Sequence, residues 1–144
     1  MMKKDAAKYY PIFINLYSVW IVYMMFFAYN RDLVMPEIYE IRPFPGQSIR
    51  FLTQVADPMT FIKNVVGNIV LFIPYGFLGL MYPQLRRFSR LFFFFFLLMT
   101  VIEFSQFYFK RGFAELDDVL LNVLGMSIGF FFYKRLFLNQ KTTN

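Results

Sequence analysis

The chain has 144 residues, of which 58% are hydrophobic and 23% are aromatic. A soluble domain is about 45–50% apolar, and the twenty-two phenylalanines of this chain would leave such a domain with apolar patches that it could not cover. Cysteine and histidine are absent, which excludes disulfides, thiol nucleophiles, a Ser-His-Asp triad and the usual zinc ligands. The net charge of +6 comes from basic residues beside hydrophobic runs, where they set topology and contact lipid head groups rather than nucleic acid. Composition therefore predicts a single integral membrane domain, 1–144.

Four apolar runs are long enough to cross a bilayer, which takes roughly 20 residues. We predict transmembrane helices at 11–29, 58–82, 90–109 and 117–138, with an outer loop at 30–57 that could hold a short amphipathic helix around 32–41. Asp57 fits an N-cap and Pro58 the first position of the second helix, and Pro74 predicts a kink within it. The predicted fold is an all-α bundle of four transmembrane helices.

The charges of the connecting segments predict how the bundle sits in the membrane. The N-terminal segment, the turn at 83–90 and the C-terminal tail are short and basic, and Asp5 is the only acid among them. The other two connections carry most of the acidic residues. Because short basic segments stay in the cytoplasm, we predict cytoplasmic termini, with the outer loop and the Lys110-Arg111 turn on the outside.

Three of the predicted helices carry acid or amide side chains in their outer halves. These side chains are Asn64 and Asn68 in the second helix, Glu103 and Gln106 in the third, and Asp117, Asp118 and Asn122 in the fourth. At roughly 1.5 Å per residue, Glu103 and Asn122 lie only ~6–9 Å from their helix ends. A carboxylate inside a transmembrane segment is costly and commonly marks a functional site. We therefore expect a polar pocket just beneath the outer surface, under a basic rim. The rim residues are Arg42, Arg50, Lys110 and Arg111.

Two functional hypotheses use this pocket. In the first, it binds or modifies an anionic, lipid-linked component of the cell envelope, because basic and amide groups suit lipid phosphates and sugars. Arg111, together with Arg42 or Arg50, would hold the charged head group, and hydrogen bonds to sugar or peptide groups would come from Glu103, Gln106, Asn64, Asn68 and Asn122. In the second, the protein is an intramembrane enzyme acting on lipid phosphate or acyl groups. Glu103, Asp117 and Asp118 would be its catalytic residues and would supply oxygen ligands for Mg²⁺ or Mn²⁺; no other cofactor is expected.

A third hypothesis treats the same side chains as a structural clasp in a protein that works through a protein partner. Asn64 and Asn68 would then form hydrogen bonds between helices. Asp117 would cap the fourth helix. The Gly125–Gly129 segment matches the G-x-x-x-G pattern, which is typical of close helix packing.

The order of these elements resembles that of the VanZ-like family of small bacterial membrane proteins. The matching segments are Asn64–Asn68 running into Leu71–Gly76, the Glu103-x-x-Gln106 element, Arg111 ahead of Asp117–Asn122, and Gly125–Gly129. The segment Arg50-Phe51-Leu52 is only faintly similar to the Asn-Leu-x-Pro-Phe-like segment of that family. The resemblance implies a four-helix protein of the bacterial inner (cytoplasmic) membrane with a link to the cell envelope, since the founding member confers resistance to teicoplanin.

Overall fold

The computed structural model describes residues 2–27 and 41–139 and shows four long helices. The long elements are α1 (Met2–Phe26), α3 (Pro58–Phe72) with its 3₁₀ continuation Ile73–Leu80, α4 (Phe88–Tyr108), and α5 (Leu116–Tyr133) with a final π-helical turn, Lys134–Leu138. The short elements are β1 (Ile41–Arg42), α2 (Gln47–Val55), a 3₁₀ turn (Pro83–Arg86) and β2 (Ala114–Glu115). Four segments are long and apolar enough to span a bilayer: Asp5–Phe26, Pro58–Leu80, Phe88–Tyr108 and Leu116–Leu138. The predicted all-α bundle of four transmembrane helices is confirmed.

Helix α5 lies at the centre of the bundle, and α1 lies at its edge. Half of the most apolar window of α5 is buried, against 11% of that of α1. Helix α4 places Leu91, Phe95 and Met99 in the core, four residues apart and therefore on one helix face. The centre of the fold is thus a layer of α3, α4 and α5.

Two glycines of α5 allow its backbone to touch the backbone of the second span. A Cβ atom on Gly125 would overlap the carbonyl oxygen of Ile69, and one on Gly129 would overlap that of Ile73. Small residues permit this close approach of helices in membranes. The G-x-x-x-G segment is therefore a packing face, as the sequence predicted.

The second span begins where the sequence predicts, and its helical geometry changes next to Pro74. The carboxylate of Asp57 accepts hydrogen bonds from the backbone N–H groups of Met59 and Thr60, at 2.9 and 3.1 Å, and Pro58 opens the helix. At Pro74 the α-helix has already given way to a 3₁₀ segment, because proline supplies no N–H group to the α-helical pattern.

Helix α1 attaches to this bend through two tyrosine hydroxyls. Tyr10 donates to the carbonyl oxygen of Pro74 at 2.8 Å, and Tyr17 donates to that of Leu71 at 2.7 Å. Carbonyls near a proline bend need partners from elsewhere in a membrane protein, since no water is available in the hydrocarbon. Helix α1 therefore satisfies the backbone of the second span as well as covering it.

The outer loop differs from its prediction. It contains a short strand and the helix α2, whereas most of the amphipathic helix expected around 32–41 lies outside the described residues, and Ile41 belongs to β1. Helix α1 also begins at Met2 rather than near residue 11. Its N-terminal residues are mostly Lys and Ala, which are good helix formers although they add nothing to an apolar run.

Candidate functional site

The described part of the outer loop packs on the segment that leads into α5. Strands β1 and β2 pair in parallel, with Ile41 opposite Ala114 and Arg42 opposite Glu115. We name this end of the bundle, where α2 and the turn between α4 and α5 lie, the loop end. The pairing brings a basic and an acidic residue, far apart in sequence, to neighbouring positions.

Arg42 is held tightly at the loop end. Its Nη1 atom lies 2.7 Å from Oε1 of Glu115, and its guanidinium carbon lies 4.2 Å from the ring centre of Phe51 and 4.7 Å from that of Phe113. The side chain is only 7% exposed. A buried guanidinium needs such a charge partner, and aromatic faces stabilise it further. The sequence predicted Arg42 as part of an open basic rim. This prediction is wrong, because Arg42 is a buried residue in an ion pair with Glu115.

Asp117 fastens α2 to the N-terminus of α5. Its carboxylate accepts hydrogen bonds from the backbone N–H groups of Gly46, Ser48 and Ile49, at 2.6, 2.8 and 3.1 Å. Both oxygens are thus engaged at the N-terminus of α2, where a negative charge also complements the helix dipole. Asp117 is a capping residue, but the helix that it caps is α2 and not its own helix, so the predicted cap of the fourth helix is corrected.

A cavity of about 150 Å³ lies between the strand pair and helices α4 and α5. Its polar lining consists of Arg42, Glu103 and Glu115, and its apolar lining includes Ile41, Thr100, Phe104, Leu116 and Val119. Glu103 is 5% exposed and sits on the inner side of the cavity. A cavity of this volume is smaller than the roughly 300–1,000 Å³ of sites that enclose a drug-sized ligand. The surface that the cavity exposes is nearly all apolar, and the guanidinium and the two carboxylates contribute only a few atoms to it.

Other predicted site residues form pairs that join the helices. Asn68 donates to Oδ1 of Asp118 at 2.8 Å, which links α3 to α5. Gln106 donates to the carbonyl oxygen of Met25 at 2.7 Å, which links α4 to α1. Asn122 is 1% exposed and contacts the sulfur of Met99 at 3.7 Å. Of the two asparagines for which the structural hypothesis predicts interhelical hydrogen bonds, Asn68 forms one, whereas Asn64 bonds within its own helix.

The remaining predicted ligand-binding residues lie outside the cavity lining. Asn64 is exposed and donates to the carbonyl oxygen of Thr60 in its own helix, at 3.0 Å. Arg50 is exposed on α2. The Arg111 guanidinium lies 5.7 Å from the ring centre of Phe27. The structure therefore brings Glu103 together with Arg42 and Glu115, and it distributes the other candidates elsewhere.

The structure does not bring together the three residues that the enzyme hypothesis assigns to a divalent cation, which are Glu103, Asp117 and Asp118. Within the described ranges, no group of three or more acidic side chains is placed to hold a metal ion. Asp117 is committed to backbone N–H groups, and Asp118 accepts from Asn68. Among the described residues, Glu103 therefore belongs to no group of three or more acidic side chains that could hold Mg²⁺ or Mn²⁺.

Glu115 is the cavity residue that sequence reasoning missed. It lies one residue before the last apolar span, where an acid is easily taken as an ordinary turn residue. Its partner Arg42 lies 73 positions away, so local sequence shows no sign of the pair.

Glu115 gives the folded protein a measurable dependence on pH. Burial raises the pKa of its carboxyl above the ordinary 4.5, although the charge of Arg42 opposes this rise. The folded state then binds this proton more tightly than the unfolded chain, so its contribution to the free energy of unfolding is complete below pH 4.5 and is lost as pH rises through the raised pKa. We expect the free energy of unfolding of Glu115→Gln to fall less steeply with rising pH than that of the wild type. Thermal unfolding in detergent from pH 4.5 upward measures this difference.

The control for this prediction is Asp57→Asn. Hydrogen bonds from Thr60 lower the pKa of the Asp57 carboxyl, so its contribution to stability has the opposite pH dependence and is lost as pH falls. A Glu115→Gln protein that keeps the wild-type pH profile would show that Glu115 does not titrate abnormally.

Comparison with known proteins identifies the family. A family profile described as VanZ/LLP1 matches residues 14–138, which is most of the chain. The comparison with curated proteins gives no match, and the comparison with solved structures gives none.

Proposed function

Because the chain belongs to the VanZ/LLP1 family, we propose that this multi-pass membrane protein binds an anionic, lipid-linked component of the bacterial cell envelope. The binding site is the cavity of Arg42, Glu103 and Glu115. The protein resides in the cytoplasmic membrane with both termini inside and the loop end outside. By binding its ligand it alters susceptibility to glycopeptides such as teicoplanin.

One observation carries the proposal: Glu103 and Arg42 line the same cavity at the loop end. Glu103 lies five residues before the end of α4, or roughly 7.5 Å along the helix axis. Arg42 and Glu115 lie at the level where α5 begins. The cavity therefore spans the boundary between hydrocarbon and head groups, where the polar part of a lipid resides.

The charges in the cavity indicate what each residue binds. A guanidinium is the preferred partner of a phosphate, so Arg42 would pair with the phosphate of the ligand. Glu115, whose pKa burial raises, would then give up its ion pair with Arg42 as the phosphate becomes the partner of that guanidinium. Glu103 would accept hydrogen bonds from hydroxyl groups next to the phosphate, because a carboxylate binds donors and repels further anions.

The size of the cavity restricts the group that enters it. A volume of about 150 Å³ admits a phosphate with a few neighbouring atoms, which is well below the roughly 300–1,000 Å³ of sites that enclose a drug-sized ligand. Larger sugars or peptides attached to the same lipid would extend beyond the loop end. The proposal includes no metal-dependent step, since within residues 2–27 and 41–139 the acidic side chains form no group of three or more that could hold a metal ion.

The proposal is tested by the affinity of the purified protein for two lipids that differ only in head group. Phosphatidylglycerol carries a phosphate and free hydroxyls, whereas phosphatidic acid of the same chain length lacks the hydroxyls. We expect Glu103→Gln to lower affinity for phosphatidylglycerol about tenfold, since a hydrogen bond to a charged group contributes roughly 1.5–3 kcal/mol. Affinity for phosphatidic acid should stay the same or rise, because a nearby negative charge has been removed.

Asn64→Ala is the matched control, because Asn64 is exposed and bonds within its own helix. This variant should bind both lipids as the wild type does, and it should keep wild-type glycopeptide tolerance in cells while Glu103→Gln loses it. Equal losses for both lipids, or a Glu103→Gln protein indistinguishable from wild type, would remove Glu103 from the binding site.

A further inference from the structure

A second depression in the surface adjoins the polar cavity. It is a shallow groove of about 310 Å³ on the membrane-facing side of α4. Its lining consists of Thr100, Val101, Phe104, Ser105, Tyr108 and Phe109. Thr100 and Phe104 belong to both linings, so the groove and the cavity meet along the same two side chains.

The groove presents a mainly apolar surface although three of its residues carry hydroxyls, namely Thr100, Ser105 and Tyr108, and the first two use theirs within α4. The hydroxyl of Thr100 donates to the carbonyl oxygen of Phe96 at 2.8 Å, and that of Ser105 donates to the carbonyl oxygen of Val101 at 2.7 Å. Both hydroxyls are therefore satisfied inside their own helix, as is usual for Ser and Thr in membrane helices. Methyl, methylene and aromatic groups are left to line the groove.

The groove also lies at the depth of a lipid chain. It runs inward from Phe109, at the loop end, to Thr100, a distance of roughly 14 Å at 1.5 Å per residue. This stretch belongs to the membrane span Phe88–Tyr108. A lipid with its phosphate near Arg42 would therefore have its first methylenes beside Phe104, and its chain would run inward along α4.

We propose that the groove on α4 is the hydrocarbon-chain subsite of the ligand whose head group occupies the polar cavity. This inference rests on the proposed function and adds the chemical class of the tail, which is a single linear acyl or prenyl chain. Phe104, which is 52% exposed, is the wall between the two subsites. The head group enters sideways from the bilayer past Phe104, and the chain stays in the groove.

The test uses chain length as the variable. The probes are lysophosphatidylglycerols with an octanoyl or an oleoyl chain, and binding to the purified protein is measured by native mass spectrometry. The wild type should prefer the oleoyl form by about tenfold or more, because burial of roughly two additional methylenes suffices for that factor. In Val101→Trp the indole fills the groove, and the preference should fall to about threefold or less.

Leu124→Trp on α5 provides a matched control. Val101 is 54% exposed and Leu124 is 48% exposed, and each lies about two turns from the loop end of its helix. The control should keep the full chain-length preference, since it adds the same bulk to a lipid-facing surface outside the groove. Tyr108→Ala serves as a second variant that adds no bulk. Loss of the Tyr108 ring from the groove lining should reduce the preference for the oleoyl chain about twofold to threefold.

The outcomes separate this inference from the function on which it rests. A wild-type protein that binds both chain lengths equally would overturn the chain subsite and leave head-group binding intact. If the protein binds neither probe, both the chain subsite and the proposed head-group binding are overturned. A Val101→Trp protein that keeps its preference but changes from dimer to monomer would show that the groove is a contact between copies of the chain, which also contradicts the proposal.

Discussion

Gly129→Ala is expected to prevent the bundle from packing, although it adds a single methyl group. The new Cβ atom would overlap the carbonyl oxygen of Ile73, and it would also approach Gly76. Both contacts are with backbone, so no side chain can move aside, and the helices themselves must separate. Overpacking typically costs about 1–3 kcal/mol. Because the overlap here is with backbone, we expect a loss at the upper end of this range in reversible unfolding in detergent, together with little accumulation of the variant in membranes.

Gly67→Ala is the matched control for this prediction. Gly67 lies in α3, and a Cβ atom there would meet nothing within 4 Å among the described residues. The same substitution should therefore leave the bundle intact and stabilise α3 slightly, because alanine is the better helix former. A Gly129→Ala protein as stable as Gly67→Ala would show that α5 and the second span are not in backbone contact.

Asp117→Ala is expected to release the outer loop from the bundle. Three backbone N–H groups at the start of α2 lose their acceptor, and each hydrogen bond to a charged group contributes roughly 1.5–3 kcal/mol. Because part of this loss is recovered when α2 becomes hydrated, we expect the free energy of unfolding to fall by about 3 kcal/mol. Limited proteolysis should then cut between residues 41 and 55, while the transmembrane helices stay protected.

Asp118→Ala is the neighbouring control, since it removes an acceptor for Asn68 and leaves the cap of α2 in place. Hydrogen bonds between membrane helices contribute about 0.6–2 kcal/mol, so the stability loss should be smaller and the loop should remain resistant. If Asp118→Ala exposes the loop as readily as Asp117→Ala, the cap does not hold α2.

The features that were predictable from the sequence depend on neighbouring residues. Hydropathy located the four spans, because a bilayer demands about 20 apolar residues wherever a helix crosses it. The start of α3 followed from Asp57-Pro58, and the close approach of α5 followed from the spacing of Gly125 and Gly129. Each of these signals lies within one helical turn or one span.

The candidate site depends on contacts that no local pattern encodes. Asp117 could be assigned to its own helix by position, yet it caps a helix that starts about 70 residues earlier. Arg42 and Glu115 meet because two-residue strands pair across the loop end, and strands this short have no sequence signature. Glu103 was identified because a carboxylate in a transmembrane segment is costly, which is a property of the residue and its span alone.

Hydropathy predicted how far along its helix a residue lies, but it did not predict which face of the helix carries the residue. Asn64 and Glu103 were placed at one level, and that level is the loop end for both. Asn64, however, faces away from the core and bonds to Thr60, whereas Glu103 is buried. Rotation of a helix about its axis is set by packing, and in this chain the glycines of α5 fix it for α3.

Photo-cross-linking of a lipid to the protein tests the central claim most directly. The probe is lysophosphatidylglycerol with a diazirine near the head-group end of its chain, and the cross-linked residues are mapped by mass spectrometry. The account predicts cross-links concentrated at Phe104 and its neighbours between Thr100 and Tyr108, reduced in Glu103→Gln and unchanged in Asn64→Ala. Cross-links spread evenly over the exposed faces of all four spans, or concentrated near Arg86 and Lys134 at the opposite end, would contradict it.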